Sequence, residues 1–209
     1  MKILLRFIIC ICFLILSINS TAIAQSSETT PKTDQSASWL DGENITVKAG
    51  LSQPLLLSGV NLAVTYMTDR LVFEYSHGVW LSYDRIGRTD TERNQNLDLY
   101  SPWSTGFGIG YRLGLGFDVR VELKAHRYRV TRPVNESFEY TTFSIGPAIN
   151  FHQPLYKGLG LDLTVRFWPN VASTLQDGQR TFVDAEGQAQ IHEAHDLGVF
   201  PNVSLGYTF

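Results

Sequence analysis

Apolar and polar residues alternate along most of the chain after Asn44, and a helical period is hardly visible. Residues 159–167 show the alternation most clearly, with Leu159, Leu161, Leu163, Val165 and Phe167 separated by Gly160, Asp162, Thr164 and Arg166. Residues 117–125 and 197–209 repeat it. A period of two is typical of β-strands that lie between two different environments, because successive side chains point to opposite faces. The pattern therefore predicts an all-β protein.

Segments of this kind number eight, at about 44–52, 58–67, 71–85, 103–113, 117–130, 140–152, 159–168 and 196–209. The connections after the second, fourth and sixth segments are short, whereas those after the third and seventh are long. An even number of strands with short turns at one end and longer loops at the other is typical of outer-membrane barrels. We predict a single eight-stranded antiparallel up-and-down transmembrane β-barrel over residues 44–209.

Charged residues lie on the polar face of these strands in nearly equal numbers of each sign. They are the cations Lys48, Arg112, Arg120, Lys124 and Arg166 and the anions Glu74, Asp118, Glu122 and Asp162. A buried charge without a partner is costly, and side chains can fill the interior of an eight-stranded barrel. We therefore expect ion pairs across a filled lumen. Two alternatives stay open: Gly106, Gly108 and Gly110 could leave a narrow water path, and the charges would also suit the outside of a soluble barrel.

The apolar face favours the membrane interpretation, because it carries no charge through the middle of any predicted strand. Aromatic residues gather near the strand ends, namely Tyr66, Phe73, Tyr111, Phe117, Phe151, Tyr207 and Phe209 at the turn end and Tyr83, Trp103, Phe143 and Phe167 at the other. Two aromatic girdles at the interfaces are typical of a membrane barrel. Pro147 and Pro201 disagree with central strands, since a closed barrel has no free edge, and we expect β-bulges to accommodate them.

The N-terminus has the three parts of a secretory signal peptide. Lys2 and Arg6 precede an apolar run, and Ala22-Ile23-Ala24 before Gln25 forms a small-residue cleavage site. We therefore predict a signal peptide over residues 1–24 and, from its polar composition, a flexible tail over residues 25–43. Cys10 and Cys12 lie in the signal segment, so the mature chain would hold no thiol chemistry.

The charge balance gives no indication of a nucleic-acid partner. Of the 17 basic residues, Lys2 and Arg6 belong to the predicted signal peptide, which leaves 15 against 20 acidic residues. A nucleic-acid-binding domain would instead show a basic excess on one face.

The last residues, Val203-Ser204-Leu205-Gly206-Tyr207-Thr208-Phe209, alternate and end in Phe. With the signal peptide and the strand pattern, they make residues 44–209 similar to the small eight-stranded outer-membrane barrels of Gram-negative-type bacteria. The resemblance implies an outer-membrane location and an assembly signal at Leu205, Tyr207 and Phe209 that the outer-membrane assembly machinery reads. Members of this class range over structural anchors, adhesion or resistance factors, small pores and lipid A-modifying enzymes, so the activity stays open.

The histidines could in principle carry catalytic or metal-binding chemistry. A deacylase resembling the lipid-modifying barrels would need a His-x-Ser pair for a base-activated nucleophile, and the chain contains none. His192 and His195 have a His-x-x-His spacing that suits metal ligation, but a solvated loop is the favoured interpretation. We therefore expect no catalytic residue, no cofactor and no metal.

A basic cluster at the outer end of the fifth strand suggests a partner. Arg127, Arg129 and Arg132 lie there, with Arg88 in the preceding long loop. Arg127 and Arg129 share the parity of the apolar residues, so both should point outward. Because guanidinium groups suit phosphate, we expect these four residues to contact lipopolysaccharide; an ordinary charged rim is the alternative.

These observations together predict an integral outer-membrane protein with a structural or surface-interaction role. Its expected partners are outer-membrane lipid, lipopolysaccharide and the assembly machinery. The alternatives are a lipid A-modifying enzyme, a small pore and a soluble periplasmic ligand-binding barrel.

Overall fold

The computed structural model describes residues 42–84, 86–132, 137–183 and 187–209. The predicted signal peptide and the predicted tail up to residue 41 lie outside the described residues. The strands are β1 (Asn44–Gly50), β2 (Val60–Met67), β3 (Leu71–Ser82), β4 (Asp98–Gly114), β5 (Phe117–Thr131), β6 (Ser137–Tyr156), β7 (Leu159–Trp168), β8 (Asn170–Ser173), β9 (Gln179–Val183), β10 (Ala189–Glu193) and β11 (Gly198–Thr208). A π-helical turn (Gln53–Leu57), helix α1 (Asp90–Asn94) and a 3-10 turn (Gln176–Gly178) complete the structure. None of the helices in these ranges is long and apolar enough to cross a membrane.

Eight strands close into an antiparallel barrel. Strands β1 to β7 pair with their neighbours in chain order, and β11 pairs with both β7 and β1. The short strand β8 lies beside the outer part of β6, and β9 and β10 form a separate two-stranded sheet. The predicted eight-stranded up-and-down architecture is therefore confirmed. We call the end with the short turns the turn end and the opposite end the outer end.

Strands β4 and β6 extend further than the sequence predicted. β4 begins at Asp98 rather than at residue 103, and β6 runs from Ser137 to Tyr156 rather than over 140–152. The long connection before the last strand, predicted as a loop, contains β8, β9 and β10. Apart from residues 153–156 of β6, which lie at the turn end, the missed segments lie at the outer end, where the alternation of apolar and polar residues changes its sense.

The two prolines need no bulge of their own, so that expectation was wrong. The β6–β7 ladder ends at Ala148 and the β6–β8 ladder begins at Ser144, which leaves Pro147 in the gap between two ladders. Pro201 has the parity of Val203, whose N–H is turned toward the β1 side and donates to a serine hydroxyl beyond the end of β1. The absent proline N–H groups therefore interrupt no ladder, and no register shift falls at either residue.

Strand β5 exchanges the character of its two faces near its outer end. Its inward side chains run through Asp118, Arg120, Glu122, Lys124, His126, Tyr128 and Val130, and all of them are buried. Its outward side chains are apolar from Phe117 to Ala125 and then become Arg127 and Arg129. The strand therefore has a charged interior and an apolar exterior for most of its length, and the reverse beyond His126.

On the neighbouring strands, the inward residues also change from polar to apolar near the positions that pair with this point of β5. Val79, Trp103, Arg127 and Thr141 are register partners on β3, β4, β5 and β6. We call this level the polarity boundary. Beyond it, the buried interior is an apolar core of Leu57, Leu81, Tyr83, Leu97, Leu99, Tyr128, Val130, Phe138, Tyr140 and Phe182. This core was not predicted from the sequence.

Candidate functional site

Glu74 lies at the centre of an ion-pair network inside the barrel. Its carboxylate is 2.8 Å from Lys48 Nζ, 2.5 Å from Arg120 Nη1 and 3.0 Å from Arg166 Nη2. These cations come from β1, β5 and β7, so one carboxylate on β3 links four strands across the interior. All four side chains are buried.

Three further carboxylates complete the network. Glu122 is 3.1 Å from Arg166 Nε, Asp118 is 2.8 Å from Arg120 Nε, and Asp162 is 3.2 Å from Lys48 Nζ. The Arg120 contacts are ion pairs by distance rather than well-aligned hydrogen bonds. Each buried charge in this group therefore has a partner of opposite sign, which offsets part of its desolvation cost.

The other two residues predicted for the lumen lie at the margins of the network. Lys124 donates a hydrogen bond to Ser76 Oγ, and its Nζ lies 4.9 Å from the centre of the Trp168 ring. Arg112 lies near the turn end and donates to the carbonyl oxygens of Thr68, at 2.7 Å, and Gly42, at 3.4 Å. Lys124 therefore lies toward the outer side of the network, and Arg112 ties the backbone at the turn end.

Further polar residues support the network, and the sequence analysis did not name them. Asn150 Nδ2 donates to Asp118 at 3.1 Å and to Asp162 at 3.2 Å, and Thr164 Oγ1 donates to Asn150 Oδ1 at 2.7 Å. His152 Nδ1 lies 3.1 Å from Asp162 Oδ2. Their inward parity on β6 and β7 was the available signal, since a polar residue at such a position needs a partner.

A row of glycines on β4 makes room for the long charged side chains of β5. Gly106, Gly108 and Gly110 are the register partners of Lys124, Glu122 and Arg120. A methyl group on Gly106 would overlap the Lys124 side chain, and one on Gly110 would overlap the Arg120 side chain and the β5 backbone. Side chains therefore occupy the space that these glycines leave.

A buried polar chain crosses the apolar core at the outer end. The His195 ring nitrogen Nδ1 lies 3.1 Å from Glu92 Oε1, and the backbone N–H of His195 donates to Tyr140 Oη at 3.0 Å. Tyr140 Oη is also 2.9 Å from His192 Nε2. Glu92 belongs to α1, where it forms a capping box with Thr89. The chain connects α1, β6, β10 and the segment after β10, which together cover the outer end.

The interpretation of His192 and His195 as solvated loop residues was wrong. Both side chains are buried, because the segment carrying them folds back over the apolar core. Burial lowers the pKa of His192 to about 4. Burial alone would raise the pKa of Glu92, but the hydrogen bond and charge of His195 hold that pKa below its usual value. Within the four described ranges, no group of three or more His, Cys, Asp or Glu residues could hold a metal ion.

Arg127 and Arg129 point outward and share one carboxylate. Arg127 donates to Glu139 Oε2 from Nε at 2.9 Å and from Nη2 at 2.6 Å. Arg129 Nε donates to Glu139 Oε1 at 2.7 Å. Glu139 was not predicted as part of this site. Its outward position on β6 could have indicated it, but only with knowledge of the β5–β6 register, which places Glu139 opposite Arg129. The three side chains together carry a net charge of +1 at the polarity boundary.

The other two arginines of the predicted cluster have different surroundings. Arg88 donates to the carbonyl oxygens of Leu97, at 2.9 Å, and Asp84, at 3.0 Å, and it lies 3.7 Å from an Asp98 carboxylate oxygen. Arg132 donates to the Val183 carbonyl at 3.0 Å. Each guanidinium therefore takes part in holding an outer-end segment in place.

The residues of the predicted assembly signal lie on the outward face at the turn end. Leu205, Tyr207 and Phe209 are exposed, and Phe209 is 76% accessible. The Phe209 N–H donates to the Ile45 carbonyl at 2.9 Å, and the Tyr207 and Phe209 ring centres are 4.9 Å apart. The segment therefore joins the last strand to the first with its apolar side chains directed away from the barrel.

No family model matches the chain, and no curated protein sequence matches it. Among solved structures, it is similar to the crystal structure of a major outer membrane protein from Thermus thermophilus. The two share 16% sequence identity with a TM-score of 0.44, over 80% of this chain and 100% of that chain. This likeness is too low to support a functional argument, so the class rests on geometry: a closed eight-stranded antiparallel barrel with a charged interior and an apolar exterior.

Proposed function

We propose that the protein is an integral outer-membrane β-barrel with a structural or surface-interaction role. The observation that carries this proposal is the exchange of the two faces at the polarity boundary. Below it, Val121 and Leu123 are more than half exposed on the outside, at 52% and 55%, while Arg120 and Glu122 are buried inside. A soluble barrel would place these residues the other way round, since a large continuous apolar surface is unfavourable in water.

The height of the apolar band supports a membrane environment. On β5 the outward residues stay apolar from Phe117 until Arg127. Ten residues of strand rise roughly 33 Å, which at a tilt of ~40° gives about 25 Å along the barrel axis. An apolar band of ~25 Å is what an outer-membrane barrel requires. We place the turn end, where the described chain begins and ends, on the periplasmic side.

We further propose that the lumen is filled and conducts no steady ion current. The ion-pair network spans the interior from β1 to β7, and the long side chains of β5 occupy the space above the β4 glycines. The apolar core lies above the network at the outer end. Side chains can fill an eight-stranded interior in this way.

We assign the protein no catalytic step. Of the five histidines, His126, His152, His192 and His195 are buried inside the barrel or its outer core. The fifth, His77, is exposed on the outward face of β3 within the proposed lipid zone. A structural role accounts for the contact of His152 with Asp162 and for the hydrogen bonds of His192 and His195.

At the surface, we propose that Arg127 and Arg129 contact lipopolysaccharide phosphate. Arg127 lies at the polarity boundary and Arg129 just beyond it, where the phosphate layer of the outer leaflet would lie. The Glu139 carboxylate neutralises one of the two positive charges, so the remaining attraction to phosphate is modest and sensitive to salt. Arg88 and Arg132 would support this surface by fixing the neighbouring segments.

Membrane extraction and conductance measurements test the proposal separately. We expect the protein to stay with the outer-membrane fraction in alkaline urea and to migrate differently on a gel before and after heating. Release into the soluble fraction would contradict the membrane location. Large, steady single-channel currents from the purified protein would contradict the filled lumen and leave the membrane location standing.

A further inference from the structure

A polar cleft opens at the outer end beside the outward arginines. Its volume is about 460 Å³, and its walls include Glu139, Thr174, Gln176, Asp177, Gln179 and Arg180. Known small-molecule sites have volumes of roughly 300–1,000 Å³. Most such sites are mainly apolar, whereas this one is lined by amides, carboxylates, a hydroxyl and a guanidinium. The lining suits a ligand rich in hydroxyl groups.

The backbone that forms the cleft is fixed by contacts with the barrel. The Thr174 N–H donates to the Thr141 carbonyl, and the Thr141 N–H donates to Thr174 Oγ1, both at 2.9 Å. The Gly178 carbonyl accepts a hydrogen bond from the Ala194 N–H at 2.8 Å. Leu175, between these points, packs against the apolar core. A ligand would therefore meet a wall that is already ordered, which reduces the entropy cost of binding.

Glu139 and Thr174 are engaged in hydrogen bonds within the protein, but four other polar side chains of the wall are not. The Arg180 guanidinium is held 4.6 Å from the centre of the Phe138 ring, and it makes no hydrogen bond or ion pair with any described residue. The side chains of Gln176, Asp177 and Gln179 likewise make no hydrogen bond or ion pair with any residue that the structure describes. The cleft thus offers both donors and acceptors, which is the combination that sugar hydroxyls require.

The position of the cleft indicates which kind of molecule would carry the sugar. Glu139 lines the cleft and is at the same time the carboxylate that Arg127 and Arg129 share. A ligand with a phosphate at the membrane surface and sugars further out would reach both places at once. We propose that the cleft binds the sugar part of an outer-leaflet glycolipid whose phosphate contacts Arg127 and Arg129. This inference rests on the proposed membrane orientation.

A binding experiment with two glycolipid probes tests the inference. The full-length protein in neutral detergent is titrated with lipopolysaccharide that carries a core oligosaccharide, and with lipid A that lacks it. We expect the core-bearing probe to bind about tenfold more tightly, as two or three additional hydrogen bonds would provide. Equal affinity for the two probes would overturn the inference.

Substitutions in the cleft test whether it causes the preference for lipopolysaccharide over lipid A. The double variant Gln176→Ala with Gln179→Ala should lose the tenfold preference and keep its affinity for lipid A. Gln153→Ala, on β6 near the turn end, is the matched control and should keep the preference. Arg127→Gln with Arg129→Gln should weaken binding of both probes in a salt-dependent way. A cleft variant that keeps the full preference would contradict the assignment.

The free core oligosaccharide distinguishes the source of the sugar. If it binds as tightly as the complete lipopolysaccharide, the cleft recognises a soluble glycan and the glycolipid assignment is wrong. Failure of the inference is separable from failure of the proposed function. A protein that stays in the membrane fraction but shows no preference between the probes would overturn the cleft assignment alone.

Discussion

Glu74 on β3 and Arg120 on β5 are 2.5 Å apart, although β4 lies between their strands. The contact crosses the glycine row of β4, where Gly108 and Gly110 leave no side chain in its path. In this barrel, ion pairs thus fill the position that an apolar core has in a soluble protein. The apolar core lies only beyond the polarity boundary.

Removing Arg120 should destabilise the barrel strongly. Arg120→Ala leaves Asp118 without its cation and takes one of three cations from Glu74. Breaking a buried ion pair by removing one partner commonly costs ~3–5 kcal/mol, so we expect a loss of that order in the free energy of unfolding. Urea titration in lipid vesicles, followed by tryptophan fluorescence, measures it.

The matched control for Arg120 is an arginine on the outward face of the same strand. Arg127→Ala breaks a partly exposed pair with Glu139, and exposed pairs contribute about 0–1 kcal/mol. If both variants lost the same small amount, the interior network would have no special role in stability.

Filling the glycine row should also destabilise the protein. A side chain at position 110 would overlap Arg120 and the β5 backbone, so Gly110→Val should cost ~1–3 kcal/mol or more through overpacking. Ile109→Val on the outward face of the same strand is the control and should change stability little. A fully stable Gly110→Val variant would show that the interior has spare room.

Acid should loosen the outer end. Burial holds the pKa of His192 at about 4, below its ordinary 6.5, so its neutral form favours folding. That contribution is complete above about pH 6.5 and is lost as the pH falls toward 4. Glu92 adds a loss in the same direction, because its pKa is also lowered. A spin label at Asn94→Cys should become more mobile as the pH falls from ~7 to ~4.

Two variants test the origin of this acid response. His192→Asn removes the titrating ring and should flatten the change in label mobility between about pH 6.5 and 4. His77→Gln, on the outward face of β3, should leave the response as it is in the parent. An unchanged response in His192→Asn would assign the effect to other groups.

The barrel could be predicted from the sequence because its inner and outer faces carry different side chains at neighbouring positions. This alternation predicted the eight strands and the inward position of Lys48, Glu74, Arg120 and Arg166. The prediction was correct only up to the polarity boundary. Beyond it Tyr128 and Val130 point inward and Arg129 points outward, so a single alternation rule assigned the outer parts of β4 and β6 to loops.

Contacts that depend on register or loop folding could not be predicted. Glu139 joins Arg129 only because of the β5–β6 pairing across a connection whose geometry the sequence does not specify. The burial of His192 and His195 requires the long last connection to fold back over the barrel. Asn150 was missed because the sequence pattern singles out charged residues and not the neutral groups that complete their hydrogen bonds.

The last residue should matter for assembly more than for stability. The Phe209 side chain is 76% exposed, and only its backbone N–H is bonded to Ile45. Phe209→Ala should therefore lower the amount of protein in the outer membrane while the purified, refolded barrel unfolds at nearly the same urea concentration. Phe117→Ala, another exposed aromatic at the turn end, is the control. Equal outer-membrane levels for Phe209→Ala and the parent would contradict an assembly role.

The polarity boundary is tested most directly by the accessibility of spin labels along β5 in lipid bilayers. Single cysteines at Leu123, Ala125 and Arg129 each carry a label, and collisions with oxygen, which concentrates in lipid, are compared with collisions with a water-soluble nickel complex. Leu123→Cys and Ala125→Cys should favour oxygen, and Arg129→Cys should favour the nickel complex. A label at Leu123→Cys that favours the nickel complex would show that the apolar face lies in water and would contradict the membrane barrel.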